Sequence, residues 1–599
     1  MQITETSRLP GRLATVAGPG ALAAGRRWSW RLSFEASVEQ LALAAGLFWA
    51  LTANHAFLAA ALRGRSLAEP SAWAFGAALF VLLVLVHALL LGLVANRWTI
   101  KPLLTLLLVA TACASHYMEA FGVHLDPAML RNVLHTNTAE AGELLTRGLA
   151  LHLLLYAGLP LALLWRVRVT RRQWLRAAGI RAGVLLLGAA IVALTLLSIF
   201  QPLASLVRNQ RELRYLITPA NYLWSAVAAV AAERRGAGVP RRPIGLDATA
   251  GDSWNARRKP LVVVLVVGET ARAANWGLSG YARQTTPQLA QLDVVNFVHA
   301  TSCGTDTETS LPCMFAPVGR RSYEESRIRA EESLLHVASR AGVAVRWRDN
   351  QSGCKAVCAG LPSEKVQELD PTGLCADGQC LDEGLVGDLA ARLRSAQGTQ
   401  LWVLHMLGNH GPAYFRRHTA QFARFQPECR DDDLRHCTVA EVINAYDNAL
   451  LYTDQVLAEA VRELRKQSNE VDSALIYVSD HGESLGEHGL FLHGVPYAIA
   501  PDVQTRVPMV IWLSEGFERG AGFADGCLRT RLRQRAAQPA AHDHLFHTVL
   551  GLLDVRTQIR EPGWDLTEGC RAGRAAASDG VGSPSAGKRP LQTAFGRQR

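Results

Sequence analysis

Residues Thr301–Pro317 read TSCGTDTETSLPCMFAP, in which Cys303 and Cys313 bracket the hydroxyls of Thr305, Thr307, Thr309 and Ser310. Three β-branched or apolar runs elsewhere end in metal-ligand types. KPLVVVLVVGE ends in Glu269. LWVLHML carries His405, with His410 following in HMLGNHGP. SALIYVSD ends in Asp480 and His481, inside SDHGESLGEHGLFLHG with His488 and His493. Glu, Asp and His are zinc ligands. Any one histidine reads as easily as a surface or capping residue, but three runs ending alike point to one site. Asp480 and His481 are neighbours and can reach one ion only if the backbone turns, which Gly482 permits. A hydroxyl attacks at neutral pH only when activated, and a metal can do that as it does for bound water. TETSLPCMF could open a helix with Thr307 or Thr309 near its N-cap, aiming backbone N–H groups at a phosphate. Residue chemistry leaves those two threonines competing.

Ligands of open α/β sheets bind beyond the carboxyl ends of the strands. The apolar runs near 260, 343, 400, 473 and 507 predict such strands. ESLLHVASRAG, EGLVGDLAARLRS and TDQVLAEAVRELRKQ lie between them as helices. The alternation predicts a mostly parallel α/β sheet. The tail after about 572, rich in Gly, Ala, Ser and Arg, predicts disorder. No internal repeat is present.

The chain has 599 residues, 49% hydrophobic, with net charge +10. Long apolar runs crowd the first third, at 38–62, 73–95, 102–118, 148–165 and 182–203. Crossing a hydrocarbon core takes about 20 helical residues. The first run starts late and four more follow, which argues against a signal peptide. Flanking charge sets orientation. Arginines of the N-terminal tail, Arg97 and Lys101, and the cluster Arg166–Arg181 belong inside. The segment 119–147 and everything after the fifth span belong outside. The basic linker 233–260 then lies outside, where anionic lipid headgroups account for its charge without nucleic acid.

Of 11 cysteines, Cys113 falls in an apolar run and ten follow residue 300. They read as Cys303/Cys313, Cys354/Cys358, Cys375/Cys380, Cys429/Cys437 and the distant Cys527 and Cys570. An even set favours disulfides in an oxidising compartment over thiolate zinc sites, whose usual spacing is missing. Spacing alone does not dictate the connectivity.

CGTDTETSLPCMF, NHGPAYFRRH, NAYDNALLYTD and SDHGESLGEHGLFLHG together resemble the lipid A phosphoethanolamine transferases, a family that includes the mobilised colistin-resistance enzymes. FGVHLDPAMLRNVLHTNTAEAGEL, RNQRELRYLITPANY and IGLDA extend the resemblance through roughly residues 40–570. It implies an N-terminal α-helical transmembrane domain of five spans and a C-terminal α/β periplasmic domain of the alkaline phosphatase/sulfatase type. The implied division is a cytoplasmic tail 1–37, spans 38–203 with a periplasmic segment 119–147, a bridging linker 204–259, a catalytic domain 260–571 and a disordered tail 572–599. The family nucleophile falls on Thr307. The principal Zn2+ ligands fall on Glu269, Thr307, Asp480 and His481, and a second zinc or the phosphoryl group on His405, His410 and His493. Headgroup contacts fall on Lys355, Gln351, Asn132, Thr136 and Glu140; the last three sit four apart, the spacing of one helix face. Gln351 stands where some members carry Asn, and Cys375 and Cys380 are closer together than the family pair often is.

The implied reaction moves phosphoethanolamine from phosphatidylethanolamine to a phosphate of lipid A through a phosphoethanolamine–Thr307 ester. The protein would be a monomer in a bacterial inner membrane with its catalytic domain in the periplasm, and the modified lipid would bind cationic peptides such as polymyxin less well. A core sugar or periplasmic glucan as acceptor, and a metal-dependent phosphodiesterase or sulfatase, are the alternatives. A phosphoglycerol transferase and a non-catalytic receptor fit less well.

Overall fold

The computed structural model describes residues 34–136, 138–236, 240–369, 373–376 and 378–572. The N-terminal tail through residue 33 and the Gly- and Ala-rich tail from residue 573 lie outside the described residues.

Among the described residues, four helices in the first third are long and apolar enough to span: Pro70–Val94, Ile100–Phe121, Arg147–Arg166 and Trp174–Ser198. A fifth is the pair Val38–Thr52 and His55–Leu62, bent by 58°. Its first half opens on a capping box of Ser37 and Gln40, which satisfies orphan N–H groups reciprocally. The bend falls at buried Asn54, whose amide donates to Trp49 O and Thr218 O and accepts from Thr218 N. A side chain that meets backbone groups in this way makes a break tolerable at membrane depth. The run at 102–118, short in sequence, sits inside a helix of 22 residues. A π-helical turn, Leu154–Gly158, interrupts the fourth span just before Pro160, where the ring removes an i→i−4 hydrogen bond.

The C-terminal half is built on one eight-stranded sheet. Its strands are β1 (Leu261–Gly268), β2 (Val295–Thr301), β3 (Ala344–Asp349), β4 (Ser363–Lys365), β5 (Thr399–His405), β6 (Asp472–Ser479), β7 (Arg506–Leu513) and β8 (Ala540–Ala541). Their spatial order is β8-β2-β7-β6-β1-β5-β3-β4. Only β7 runs against its neighbours, β6 and β2; β1, β2, β3, β5 and β6 therefore end on the same edge. β2 was not among the expected strands. Its partly exposed residues mask the apolar run that betrays the others.

The alternation of β1 explains why it is apolar throughout. Val263, Leu265 and Val267 face one core, with Phe546 and Val549 of the helix Asp543–Leu553. Val262, Val264 and Val266 face the other, with Tyr446, Leu457 and Val461 of the 28-residue helix Val439–Lys466. A strand covered on both faces needs apolar residues at every position. Five disulfides staple the edges and loops: Cys303–Cys313, Cys354–Cys358, Cys375–Cys380, Cys429–Cys437 and Cys527–Cys570.

The segment between the third and fourth spans meets the sheet domain. Ala120, Phe121 and Val123 pack against Phe491 and Leu492. Arg131 pairs with Glu325, and His135 Nδ1 lies 3.0 Å from Glu308 Oε1. The expectation that Asn132, Thr136 and Glu140 share one helix face does not hold. The helix Pro127–His135 ends with Thr136 in extended backbone (ψ 131°). There the Thr136 hydroxyl donates to Asn132 O at 2.7 Å, closing the last turn, and Glu140 belongs to a separate helix, Thr138–Glu143.

Candidate active site

The shared strand edge collects the chemistry. Glu269 follows β1, Asp480 and His481 follow β6, His405 and Asp349 end β5 and β3, and β2 delivers the loop that carries Thr307. Asp306 is the N-cap of the helix Thr307–Met314 and accepts from Thr309 N at 2.9 Å. Thr307 thus occupies the first helical position, where backbone N–H groups lack helical acceptors.

The four hydroxyls of the opening loop separate cleanly. Thr307 Oγ1 donates to Glu269 Oε2 at 3.1 Å and lies 3.4 Å from His481 Nε2. Thr309 packs instead over Gly304, where an added Cβ would fall 2.8 Å from the Thr309 Cβ. Ser310 Oγ accepts from Gly304 N at 2.8 Å. Thr305 Oγ1 donates to Val495 O at 2.8 Å. The structure therefore brings Thr307, not Thr309, to the ligand cluster.

Glu269, Asp480 and His481 are fully buried, and each offers a ligand atom lying within 4.8 Å of the others. His481 Nδ1 is 2.9 Å from Gly482 O. Donation there leaves Nε2 as the inward atom, the second contact that typically orients a metal-ligating histidine. Asp480 Oδ1 accepts from the N–H groups of Thr270 and His481, whereas buried Oδ2 has no hydrogen-bond partner among the described residues and lies 3.4 Å from His481 Nε2. Burial pushes the Asp480 carboxyl up, and the Glu269 charge adds to this, bringing it to about 7. Burial opposes a charge on His481, but Asp480 and Glu269 outweigh it and raise the imidazole to about 10. Burial also raises Glu269, yet the hydrogen bond and charge of His481 hold it well below the usual range. Two buried carboxylates, an orphaned oxygen and an inward imidazole make a donor set that fits a divalent cation. Thr270, between the cluster and the next turn, has φ 59°, the kind of backbone strain that surrounding contacts sustain at functional sites.

Gly482 is required here for a reason other than turning. Its φ is not left-handed, but an added Cβ would lie 2.0 Å from Val503 O.

His493 lies 4.3 Å from the His481 ring, and His410 5.9 Å from His493, centroid to centroid. Glu483, unanticipated from the sequence, is buried beside them with its Oε1 3.3 Å from His493 Nδ1; burial lifts it to about 8 against the charges of His481 and His410. On the other side His405 Nδ1 meets Asp349 Oδ1 at 2.7 Å, and its buried Nε2 has no partner. Asp349 obeys the same strand-end rule as Glu269, so that signal was available. His488 is exposed.

Lys355 sits in the small ring closed by Cys354–Cys358, with φ 44°. Its Nζ lies 3.1 Å from Glu308 Oε1 and donates to Ser352 Oγ at 2.8 Å. Glu308, the residue after Thr307, also meets His135 and Arg329. Burial raises its carboxyl, but Lys355 and Arg329 more than reverse that. Gln351 turns its amide oxygen back onto Ser352.

Comparison with known proteins agrees with this arrangement. The family pattern described as Sulfatase matches residues 262–555, and that described as Phosphoethanolamine transferase EptA/EptB matches residues 83–234. Phosphoethanolamine transferase EptA of Escherichia coli K12 is 36% identical over 488 residues, 81% of this chain and 88% of the relative. Phosphatidylethanolamine transferase Mcr-1 of Escherichia coli is 36% identical over 502 residues, 81% of this chain and 90% of the relative. The structure of the integral membrane protein lipooligosaccharide phosphoethanolamine transferase A from Neisseria meningitidis superposes with TM-score 0.84 at 35% identity, covering 90% of this chain and 99% of that one. With helical spans ahead of a sulfatase-like sheet and a threonine facing a buried ligand cluster, the chain belongs to the phosphoethanolamine transferase family.

Proposed function

We propose that the chain transfers phosphoethanolamine from phosphatidylethanolamine to a phosphate of lipid A through a covalent ester on Thr307. The observation that carries this reading is the Thr307 hydroxyl at a helix N-terminus, 3.1 Å from Glu269 Oε2 and 3.4 Å from His481 Nε2. Glu269, Asp480 and His481, with Thr307 itself, would hold Zn2+, which when bound supplies Lewis-acid stabilisation of phosphoryl charge.

The chain's own groups do the rest. Glu269 Oε2 receives the hydrogen bond of the Thr307 hydroxyl and so directs its proton away from the incoming phosphorus. Thr307 Oγ1 bonds to that phosphorus while the bond to the diacylglycerol oxygen breaks, and the proton given up by Thr307 leaves on that oxygen. The acceptor phosphate monoester then bonds through one oxygen to the phosphorus as the Thr307 bond breaks, and the acceptor's proton passes to Thr307 Oγ1. N–H groups at the helix start and the histidines His405, His410 and His493 bind phosphoryl oxygens, the main demand of phosphoryl transfer. Lys355, Gln351, Asn132, Thr136 and Glu140 serve the headgroup. Working boundaries are spans at 38–203, a bridge at 204–259 and the catalytic domain at 260–571. The charge pattern supports an inner-membrane protein with that domain in the periplasm, and disulfides support an oxidising compartment. Lowered anionic charge on the acceptor lipid would weaken binding of cationic peptides.

Intact-protein mass spectrometry after exposure to phosphatidylethanolamine tests this. One phosphoethanolamine on Thr307, absent in Thr307→Ala, is expected; a modified residue elsewhere overturns the assignment. Lipid A mass spectra from cells with and without the active protein test the acceptor, and unchanged lipid A would move it to a core sugar or glucan.

A further inference from the structure

Arg417 lies in the NHGPAYFRRH segment, seven residues after His410. Each of its three nitrogens has one acceptor. Nε donates to His410 O at 2.7 Å, Nη1 to Gln379 Oε1 at 2.7 Å and Nη2 to Glu143 Oε2 at 2.6 Å. Glu143 closes the short helix Thr138–Glu143, between the third and fourth spans. Its side chain is 2% exposed and that of Arg417 1%. This ion pair therefore crosses from the membrane-anchored half into the catalytic domain and is shut off from water.

A buried ion pair contributes little net stability, because desolvation offsets attraction. Its effect is on geometry: a desolvated guanidinium with three satisfied donors has one position. The loop ahead of it is held at its other end by Asn409 N, which donates to Glu269 O at 3.0 Å. Gly408, with φ 54°, lies so close that an added Cβ would fall 2.6 Å from that same carbonyl. His410 thus hangs between two anchors, one on the metal-ligand residue Glu269 and one on Arg417. Its ring carries a buried, unpartnered Nδ1 and lies 5.9 Å from the His493 ring.

We infer that Arg417 is a positioning residue for His410, and that Glu143 of the helical half holds Arg417 in that role. Without Glu143 the guanidinium loses the carboxylate it is hydrogen-bonded to and keeps only the charge of Asp432 nearby. It turns toward water and releases the His410 carbonyl. The membrane half then supplies a part that the catalytic loop lacks by itself. The inference rests on the assignment of His410 to the site under Proposed function.

The test uses the full-length chain in detergent–lipid micelles with zinc. It follows the rate of Thr307 modification by a fluorescent phosphatidylethanolamine and hydrogen exchange of the peptide 406–418. Glu143→Ala and Arg417→Ala are each expected to slow modification about ten- to a hundredfold, the usual effect of losing an outer partner of a site. Gln421→Ala, at an exposed position nearby in the chain, stays within about twofold. In a His410→Ala background the Glu143 and Arg417 changes cost nothing further, because the residue they position is gone. Peptide 406–418 exchanges faster in Glu143→Ala and Arg417→Ala. Glu143→Gln keeps an acceptor of the same shape without the charge and gives an intermediate loss; it replaces Glu143→Ala if that variant does not fold. Losses that multiply with His410→Ala, or unchanged exchange of the loop, overturn the inference. If the wild-type chain is not modified at Thr307, the functional reading fails, and the exchange measurement still decides whether Glu143 and Arg417 hold the loop.

Discussion

Replacing Gly482 by alanine tests whether the ligand cluster depends on backbone proximity. The new Cβ would stand 2.0 Å from Val503 O, far inside van der Waals contact. Val503 O cannot simply retreat, because it accepts from Glu483 N at 2.9 Å, and Gly482 N donates to Gln504 O at 2.9 Å. Relief therefore requires the two strands of chain to part. Overpacking of this kind costs about 1–3 kcal/mol, and one weakened hydrogen bond adds roughly 1 kcal/mol. The sum, about 2–4 kcal/mol, corresponds to a Tm drop of roughly 4–8 °C at about 2 °C per kcal/mol. The displacement falls on His481, the preceding residue, so zinc affinity should fall as well, since metal sites tolerate only about 0.2 Å. Thermal unfolding and competition with a zinc chelator measure both quantities. Gly563→Ala is the control: that glycine has open space and ordinary φ, and its change should stay within about 0.5 kcal/mol. A Gly482→Ala protein that melts and binds zinc like the wild type would refute the reasoning.

Glu308→Ala should destabilise the chain by about 3 kcal/mol through the buried Lys355 pair, its more exposed partners His135 and Arg329 adding little. In thermal melts the double change with Lys355→Ala should cost less than the sum of the two. Zinc affinity should rise with pH from 6 to 8. Without the ion His481 stays protonated up to about 10 and Asp480 up to about 7, so binding releases His481's proton throughout, and Asp480's share fades above 7. Chelator competition at three pH values reads the slope; a flat profile contradicts it. Cys527→Ser with Cys570→Ser opens a span of 43 residues and should cost about 4 kcal/mol of chain entropy while Thr307 modification at room temperature continues, as denaturant titration and mass spectrometry will show.

Much of the site was legible because the fold uses one rule repeatedly. Strands buried on both faces are mostly apolar along their length, so Glu269, His405, Asp480 and His481 stand out as metal-ligand types at their ends. β2 escaped notice because its alternation with exposed residues dilutes the apolar signal, and it is the strand that delivers Thr307. N-cap residue types pointed to a helix at TETSLPCMF yet left Thr307 and Thr309 level. The choice depends on Gly304, over which Thr309 packs, and on a carboxylate from 38 residues earlier in the chain. The spacing of Asn132, Thr136 and Glu140 misled because Thr136 closes its own helix. Glu143, Glu308 and Arg417 carried no pattern; their meaning lies in contacts between distant segments.

The position of β1 has a consequence for how the chain is made. It begins the sheet domain in sequence but sits at its centre, and both its partners, β5 and β6, are synthesised much later. Until then LVVVLVVG is a bare apolar strand with two open edges, the profile of an aggregation-prone segment. Closure of the central sheet and completion of the ligand set happen in one event, when Asp472–Ser479 docks and brings Asp480 and His481 beside Glu269. Chains truncated before β6 should therefore aggregate and take up no metal, whereas chains ending just after the Asp543–Leu553 helix have every strand of the sheet in hand.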